Sequence, residues 1–436
     1  MFGKRARRQW RGRASERSRA LGLFDRLKRL GPGLVTGAAD DDPSGIATYS
    51  QAGAQFGTSL MWTMTLAYPL MVAVQLASAR VGRVTGYGLG RNLKEIMPRW
   101  LVIAIVLLLF VANTINVGAD LAAMGESVAL VTGGGKHIFT VILAIFSLIL
   151  QLYIPYHRYS TVLKWLTLVL FAYVALIFMI DVNWKAALHG LIIPSLSGSG
   201  ALTTIVAIFG TTISPYLFFW QAAQEVEEID QVEKREPLVE ARRQADDALN
   251  RINWDTFAGM ALSDIVALAI MLGTAFTLHT AGKTDIQSAA DAAQALKPIA
   301  GNLAFATFSL GILGTGLLAV PVLAGASGYA VCEIGGWNAS LEHKPHRAKT
   351  FYAVIALGML FGVAIDWSPI NPMKALFWSA VINGIAAVPI LIGLMIVVSK
   401  PSIMEEFVAP PLLKLFGWLA TAVMAAAAIA MFALPG

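Results

Sequence analysis

Apolar runs of about 20 residues follow one another along almost the whole chain, and they constrain its fold more than any other feature. Each run is long enough to cross a hydrocarbon core about 30 Å thick as a helix. We number the predicted spans one to eleven, and they cover residues 34–57, 59–79, 101–131, 138–155, 161–180, 202–224, 256–279, 301–331, 351–366, 375–398 and 412–434. The pattern predicts an all-α integral membrane protein with the lipid bilayer as its surroundings.

The composition agrees with a membrane protein and excludes several other classes. Charged residues make up 14% of the 436 residues and hydrophobic residues 56%, whereas a soluble protein has about 25% charged residues. The net charge of +6 would suit a nucleic-acid partner, but the basic residues lie where membrane topology puts them. We therefore expect no nucleic-acid partner. The single cysteine, Cys332, excludes an intramolecular disulfide.

The distribution of basic residues predicts the orientation. Residues 1–30 form an Arg-rich arm without the apolar stretch of a cleavable signal peptide. If this arm is cytoplasmic, the outer segments hold only five of the 33 Lys and Arg residues: Lys136, Lys185, Lys283, Lys297 and Lys374. The positive-inside rule then predicts a cytoplasmic N-terminus and an outer C-terminus, in a bacterial-type plasma membrane. Residues 225–253, which carry charges of both signs, would be a cytoplasmic helix that serves as a connector, capped by Asn253 before span seven.

Two of the apolar runs are interrupted at membrane depth. Span one contains Ala39-Asp40-Asp41-Asp42-Pro43-Ser44-Gly45, and span six contains Gly210-Thr211-Thr212-Ile213-Ser214-Pro215-Tyr216. Proline lacks an amide donor and disfavours helical geometry at the residue before it. We therefore expect the helices to unwind at Asp42 and Ser214. Unwound backbone is tolerated in a bilayer only where it is packed in protein or lines a wet cavity.

The two interruptions hold equivalent places in two five-span halves. This is the pattern of an inverted-repeat transporter of the LeuT type, with broken helices one and six around a site near the membrane midplane. The predicted division is a first repeat at 31–180, a second at 201–398, and span eleven appended at 412–434.

The candidate ligands come from these interruptions. Successive helical positions point about 100° apart, so Asp40, Asp41 and Asp42 cannot all face one ion. Asp42 adjoins the break and is the preferred ligand. The freed carbonyls of Ala39 and Thr211 and the hydroxyl of Ser214 would add oxygen donors, which suit a hard cation. Alternatively Asp42 or Ser44 caps the half-helix that follows, a role that can coexist with ion binding.

Four motifs in the correct order resemble the NRAMP divalent-metal transporters. Asp42-Pro43-Ser44-Gly45 is similar to the Asp-Pro-Gly-Asn of that family, and Ser214-Pro215-Tyr216 to its Met-Pro-His. The remaining two matches are Arg83-Val84-Thr85-Gly86-Tyr87-Gly88-Leu89 and Gly118-Ala119-Asp120-Leu121-Ala122. The resemblance implies a metal site made of Ala39, Asp42, Gly45, Thr211 and Ser214.

Departures from the family pattern predict a different ion. Gly45 and Ser214 stand where typical members place an asparagine and a methionine. A thioether favours softer transition metals, so its loss removes a filter against Mg²⁺. Smaller residues also leave room for an ion that keeps several waters, as Mg²⁺ does. The chain thus resembles the NRAMP-related magnesium transporters, which implies Mg²⁺ and also Mn²⁺ as transported substrates and no cofactor.

Titratable groups are missing where the proton-coupled members carry them. The corresponding positions are Tyr216, Gln221, Asn113 and Ala123, so the resemblance implies transport without proton coupling. Asp120 remains in span three, as a pathway residue or as an interhelical hydrogen-bond partner. Asn113, Asn116 and Asn383 would bind water around the ion, or alternatively join helices.

Three other functions fit parts of the sequence. A proton-coupled Mn²⁺ or Fe²⁺ transporter is disfavoured by Ser214 and Tyr216. A sodium-coupled transporter of organic solutes is disfavoured because Asp42 would repel a substrate carboxylate. A Mg²⁺-dependent membrane enzyme acting on diphosphates needs two facing acidic motifs, and the sequence has one. We therefore expect a transporter and not an enzyme.

Overall fold

The computed structural model describes residues 36–37, 39–156, 158, 167–196, 198–342 and 344–434. The Arg-rich arm at 1–30 lies outside these residues. The described residues form helices joined by turns and loops, with no strand. The α-helices are α1 (Pro43–Phe56), α2 (Trp62–Thr85), α3 (Leu89–Lys94), α4 (Arg99–Thr132), α5 (Lys136–Tyr153), α6 (Phe171–Ile177), α7 (Trp184–Ile192), α8 (Ala201–Thr212), α9 (Pro215–Gln231), α10 (Ala245–Thr274), α11 (Ala289–Ala293), α12 (Lys297–Ala300), α13 (Ala304–Gly335), α14 (Lys349–Ile365), α15 (Pro372–Ser399), α16 (Pro401–Met404) and α17 (Pro411–Ala433).

The predicted spans are found as helices. Eight helical stretches in the described part of the chain are long and apolar enough to cross a membrane. They match predicted spans two, three, four, six, seven, eight, ten and eleven. Spans one, five and nine contain shorter helices, Pro43–Phe56, Leu168–Ile177 and Lys349–Ile365. The all-helical membrane fold is therefore confirmed, while the division into repeats at 31–180 and 201–398 stays a prediction.

Both predicted helix breaks are present. Residues 39–40 are helical, the chain bends at Asp41, and α1 starts at Pro43 after an extended Asp42 with φ −69° and ψ 171°. In span six, α8 ends at Thr212 and α9 starts at Pro215, with Ser214 extended at φ −75° and ψ 132°. Each proline occupies the first helical position, where its missing amide costs nothing.

The two broken spans lie in the centre of the bundle because small residues allow close helix contacts. A Cβ on Gly210 would lie 2.0 Å from the carbonyl oxygen of Ala380 in α15, and a Cβ on Gly384 would lie 2.6 Å from that of Val206. A Cβ on Gly53 in α1 would likewise lie 2.3 Å from the carbonyl oxygen of Met271 in α10. In a membrane, such stripes of small residues let backbones approach and pack. As a result α8 lies against α15, and α1 against α10.

The connector between spans six and seven differs from its prediction. The helix α9 continues to Gln231, and α10 begins at Ala245 and runs through Asn253 without interruption. The predictions of one helix over 225–253 and of a cap at Asn253 are therefore wrong. The segment joining the two helices covers residues 232–244, and it docks on α2 through hydrogen bonds from the amides of Leu238 and Val239 to the carbonyls of Arg83 and Val84.

Candidate metal site

One carboxylate oxygen of Asp42 caps the helix that follows the first break. Its Oδ1 accepts a hydrogen bond from the amide of Gly45 at 2.8 Å and another from Ser44 Oγ at 2.6 Å. This is the geometry of an N-cap, which satisfies an amide that has no intrahelical partner. The prediction that Asp42 caps the following helix is thus confirmed. The cap engages Oδ1 and leaves Oδ2 for other contacts.

The second oxygen of Asp42 faces other helices. Its Oδ2 accepts from Asn116 Nδ2 in α4 at 3.0 Å and from the hydroxyl of Tyr216 in α9 at 3.5 Å. That hydroxyl also lies 3.2 Å from the carbonyl oxygen of Ala39. Ser379 in α15 donates to Asn116 Oδ1 at 2.7 Å, which fixes the orientation of the amide. Asp42 is therefore held where four helical segments meet.

The second break lies beside the first. Ser214 Oγ donates to the carbonyl oxygens of Gly210 at 2.7 Å and Thr211 at 2.8 Å, which α8 leaves free at its end. Thr211 Oγ1 is buried and has no hydrogen-bond partner among the described residues. It would lie 3.2 Å from a Cβ placed on Gly45. Gly45 and Thr211 therefore face each other across the two breaks.

Other residues singled out in the sequence lie farther from this junction or join helices. Asn113 Nδ2 donates to the carbonyl of Leu323 and to Ser327 Oγ in α13, at 3.1 and 2.9 Å, so it connects α4 to α13. Gln221 accepts a hydrogen bond from Thr36 Oγ1 at 2.5 Å, which ties α9 to the start of span one. For Asn113, helix connection is therefore the role that the contacts support.

Asp120 and Asn383 are buried polar residues near the junction. Asp120 lies one helical turn after Asn116 in α4, and neither of its carboxylate oxygens has a hydrogen-bond partner among the described residues. Asn383 is four residues after Ser379 in α15, and its Oδ1 also has no hydrogen-bond partner among the described residues. Residues four apart share a helix face. Asp120 therefore lies on the face of α4 that contacts Asp42, and Asn383 lies on the face of α15 that contacts Asn116.

Ser379, which orients Asn116, is not among the residues that the sequence pattern predicted for the site. A signal for it exists, because Ser379 and Asn383 form a polar pair four residues apart within an apolar span. Such a pair marks the face of a transmembrane helix that meets other helices.

Among the described residues, no cationic side chain forms an ion pair with Asp42. The ion pairs in this part of the chain involve other acids. The same residues contain no cluster of three or more His, Cys, Asp or Glu side chains that could hold a metal ion. The groups that hydrogen-bond to the Asp42 carboxylate are thus neutral: the hydroxyls of Ser44 and Tyr216, the amide of Gly45 and the side chain of Asn116.

A helical membrane protein with two central helices broken at prolines, and a buried carboxylate between them, has the architecture of a secondary transporter. The profile of the family described as Natural resistance-associated macrophage protein-like, Nramp, matches residues 33–434. The chain belongs to the Nramp family.

Relatives of similar length share about a quarter of the sequence. A divalent metal cation transporter, MntH, of Caldanaerobacter subterraneus subsp. tengcongensis is 24% identical over 429 residues, covering 93% of this chain and 94% of the relative. The protein of the same name from Aeromonas hydrophila subsp. hydrophila is 26% identical over 420 residues, covering 92% and 94%. These relatives are transporters, and the alternative of a membrane enzyme is therefore set aside.

Solved structures share the fold. The manganese transporter of Eremococcus coleocola, crystallised with an aromatic bis-isothiourea compound, has a TM-score of 0.75 at 17% identity, covering 94% of this chain and 88% of its own. MhsT in complex with L-phenylalanine has a TM-score of 0.63 at 13% identity, covering 93% and 98%. The predicted LeuT-type fold with broken helices one and six is confirmed.

Proposed function

We propose that this protein transports divalent metal cations across a bacterial plasma membrane by alternating access, with Mg²⁺ as the main substrate and Mn²⁺ as a second one. The observation that carries the proposal is the position of Asp42, whose Oδ2 lies at the junction of the two helix breaks without a cationic partner in the described part of the chain. A buried, uncompensated carboxylate in a membrane is costly and is usually retained for function. The relatives named as divalent metal cation transporters support the same class of substrate.

The donor chemistry supports a hard cation. In our proposal the ligands are Asp42 Oδ2, the carbonyl oxygens of Ala39 and Thr211, and the hydroxyl of Ser214, next to the small Gly45. All of these donors are oxygens, which Mg²⁺ and Mn²⁺ accept and which give no advantage to softer metals. Asn116 and Tyr216, which contact Asp42 directly, are suited to hold waters that Mg²⁺ retains.

The proposal includes transport without proton coupling. Asn113 and Gln221 are engaged in hydrogen bonds between helices, and neither titrates in the physiological range. The membrane potential supplies enough drive on its own, because about 2.3 kcal/mol per charge at 100 mV amounts to about 4.6 kcal/mol for a divalent ion. This drive is directed inward because the cytoplasmic side of the membrane is negative. We further propose that the N-terminus is cytoplasmic and the C-terminus outside.

One observation favours the proton-coupled alternative. Asp120 is fully buried in α4, and its carboxylate lacks a hydrogen-bond partner among the described residues. A carboxyl group in such surroundings can carry a proton, so the proposal has to be tested together with this residue.

Ion uptake into proteoliposomes tests the proposed function. Mg²⁺ and Mn²⁺ are supplied in parallel at a fixed membrane potential, and uptake is followed with an internal dye. We expect both ions to enter, and Mg²⁺ in excess to suppress Mn²⁺ uptake. Liposomes containing Asp42→Ala serve as the control and should show no uptake above empty liposomes. Uptake of Mn²⁺ that excess Mg²⁺ leaves unchanged would contradict the proposed selectivity.

A further inference from the structure

Asn116 in α4 and Ser379 in α15 are polar side chains beside Asp42 whose hydrogen bonds can be arranged in two ways. All three residues are buried. Ser379 Oγ donates to Asn116 Oδ1 at 2.7 Å, and Asn116 Nδ2 donates to Asp42 Oδ2 at 3.0 Å. The amide therefore turns its donor, and not its oxygen, towards the carboxylate that we propose as a metal ligand.

The hydroxyl of Ser379 has a second acceptor within reach. Its Oγ also lies 2.7 Å from the carbonyl oxygen of Leu376, three residues earlier in α15. A hydroxyl group has one proton to donate and two lone pairs that accept. Ser379 therefore donates either to Asn116 or to Leu376. When it donates to Leu376, its oxygen can accept a hydrogen bond from the amide nitrogen of Asn116.

A half-turn of the Asn116 amide connects the two arrangements. The half-turn exchanges Oδ1 and Nδ2 and leaves the shape of the side chain almost unchanged, and the torsion about this terminal bond is broad and roughly two-fold. After the half-turn, Nδ2 donates to Ser379, Ser379 donates to Leu376, and Oδ1 faces Asp42 Oδ2. Ser379 gives the amide a hydrogen bond in both arrangements. They differ in what Asn116 presents to Asp42.

The charge at Asp42 decides between the two arrangements. Without a cation, the buried carboxylate needs a donor, which favours the arrangement of this structure. A divalent cation on Asp42 Oδ2 repels the amide hydrogens, whereas an amide oxygen is a ligand for hard cations. The distance also fits. The rotated Oδ1 would take the place of Nδ2, which is 3.0 Å from Asp42 Oδ2, and adjacent ligands of an octahedral Mg²⁺ are about 2.8–3.0 Å apart when each is about 2.0–2.1 Å from the ion.

We propose that Asn116 is a further ligand of the transported ion, and that its amide turns its oxygen to the ion on binding while Ser379 accepts its nitrogen. The inference rests on the proposed function and extends it, because an oxygen from α4 takes a place that a water would otherwise hold. Binding of the ion then joins the first helix break directly to α4, and through Ser379 to α15.

Substitutions of Asn116 in the purified full-length protein test the proposal, with calorimetric titration of Mg²⁺ and Cd²⁺ as the measurement. Leucine has nearly the size of asparagine but no oxygen, so Asn116→Leu should weaken Mg²⁺ binding about tenfold or more. A thiol favours softer metals. Asn116→Cys should therefore raise the ratio of Cd²⁺ affinity to Mg²⁺ affinity about tenfold or more above that of Asn116→Ser, which has nearly the same size.

Asn113→Cys is the matched control for the position of the thiol. Asn113 lies three residues earlier in α4 and donates to Leu323 and Ser327 of α13, not to Asp42. Its ratio of Cd²⁺ to Mg²⁺ affinity should equal that of the unmodified protein. The native Cys332 is buried and present in every variant, so it does not contribute to the differences. Size-exclusion chromatography checks that the variants fold.

The outcomes separate this inference from the proposed function. If the unmodified protein and Asn116→Leu bind Mg²⁺ equally well, Asn116 is not a ligand and the proposed function stands. Equal affinity ratios for Asn116→Cys and Asn116→Ser lead to the same conclusion, since the side chain then only holds Asp42 in place. This pair also decides the question if the leucine variant does not fold. If the unmodified protein binds no Mg²⁺, the proposed function is wrong as well.

Discussion

At the scale of single residues, Asp42 combines two roles that substitutions can separate. Asparagine caps helices about as well as aspartate, whereas alanine does not, at a cost of about 1 kcal/mol. We predict that Asp42→Asn and Asp42→Ala both abolish Mg²⁺ binding, while only Asp42→Ala lowers the Tm. Calorimetric titration and thermal unfolding in detergent measure the two effects. Asp40→Asn is the comparison, with a milder loss of transport.

The outcome for Asp42→Asn is decisive. If this variant binds Mg²⁺ with the affinity of the parent, the carboxylate charge is not needed for binding and the role of Asp42 is limited to capping.

The small residues at the two breaks are predicted to set the selectivity. Replacing Gly45 by Asn together with Ser214 by Met adds an amide and a thioether, which should weaken Mg²⁺ competition against Mn²⁺ by about tenfold or more. Uptake of radioactive Mn²⁺ with increasing Mg²⁺ gives the competition constant.

A control is needed because the site at Gly45 is tight. A Cβ there would lie 3.2 Å from both Thr211 Oγ1 and Tyr49 Cε2, so these side chains must move slightly. Gly45→Ala introduces the same crowding without a ligand. If Gly45→Ala changes the competition as much as the double substitution does, crowding and not the added ligands controls selectivity.

At the scale of helices, the position of the second break depends on the contact of α8 with α15. A Cβ on Gly210 would overlap the carbonyl of Ala380, because their distance would be 2.0 Å. We predict that Gly210→Ala forces the two helices apart and destabilises the protein by about 1–3 kcal/mol or more. Thermal unfolding of the purified protein measures the loss, and metal uptake should fall with it.

Another glycine in a membrane helix provides the control. A Cβ on Gly358 in α14 would lie 3.7 Å from Thr114 Oγ1, an ordinary contact. Gly358→Ala should leave the Tm unchanged or raise it, since alanine favours helix by about 1 kcal/mol over glycine. Equal melting temperatures for the two variants would mean that the α8 and α15 contact does not limit stability.

At the scale of the whole molecule, the prediction concerns what drives transport. Proteoliposomes with a K⁺ gradient and valinomycin allow the potential to be set, and an internal dye reports pH. We expect Mg²⁺ uptake to increase with an inside-negative potential. Internal pH should stay constant, because Tyr216, Gln221, Asn113 and Ala123 do not provide a proton relay.

The Asp120→Asn variant is the matched control for this measurement. If protons are not coupled, it should show the same potential dependence and the same constant pH. Acidification that accompanies metal uptake and disappears in Asp120→Asn would establish the proton-coupled alternative in place of our proposal.

The sequence by itself determined the membrane class and both helix breaks. Span length is a local property of apolar runs, and Pro43 and Pro215 act on their own backbones, so neither needs distant contacts. Four sequence motifs also predicted membership of the Nramp family, and the family profile over residues 33–434 confirms it. The incorrect prediction of a helix cap at Asn253 also rested on the local residue pattern alone, whereas α10 continues through that position.

Only the tertiary structure decided which groups meet. Asn113 and Asn116 are close in sequence and equally polar, yet one joins α13 and the other holds Asp42. Asp40, Asp41 and Asp42 are adjacent, yet they divide between α10 and the junction of α4 and α9. The direction of a buried polar side chain depends on the partner that a neighbouring helix presents. That partner comes from residues as much as 223 positions away in the chain, and its register is set by helix packing that a local pattern does not contain.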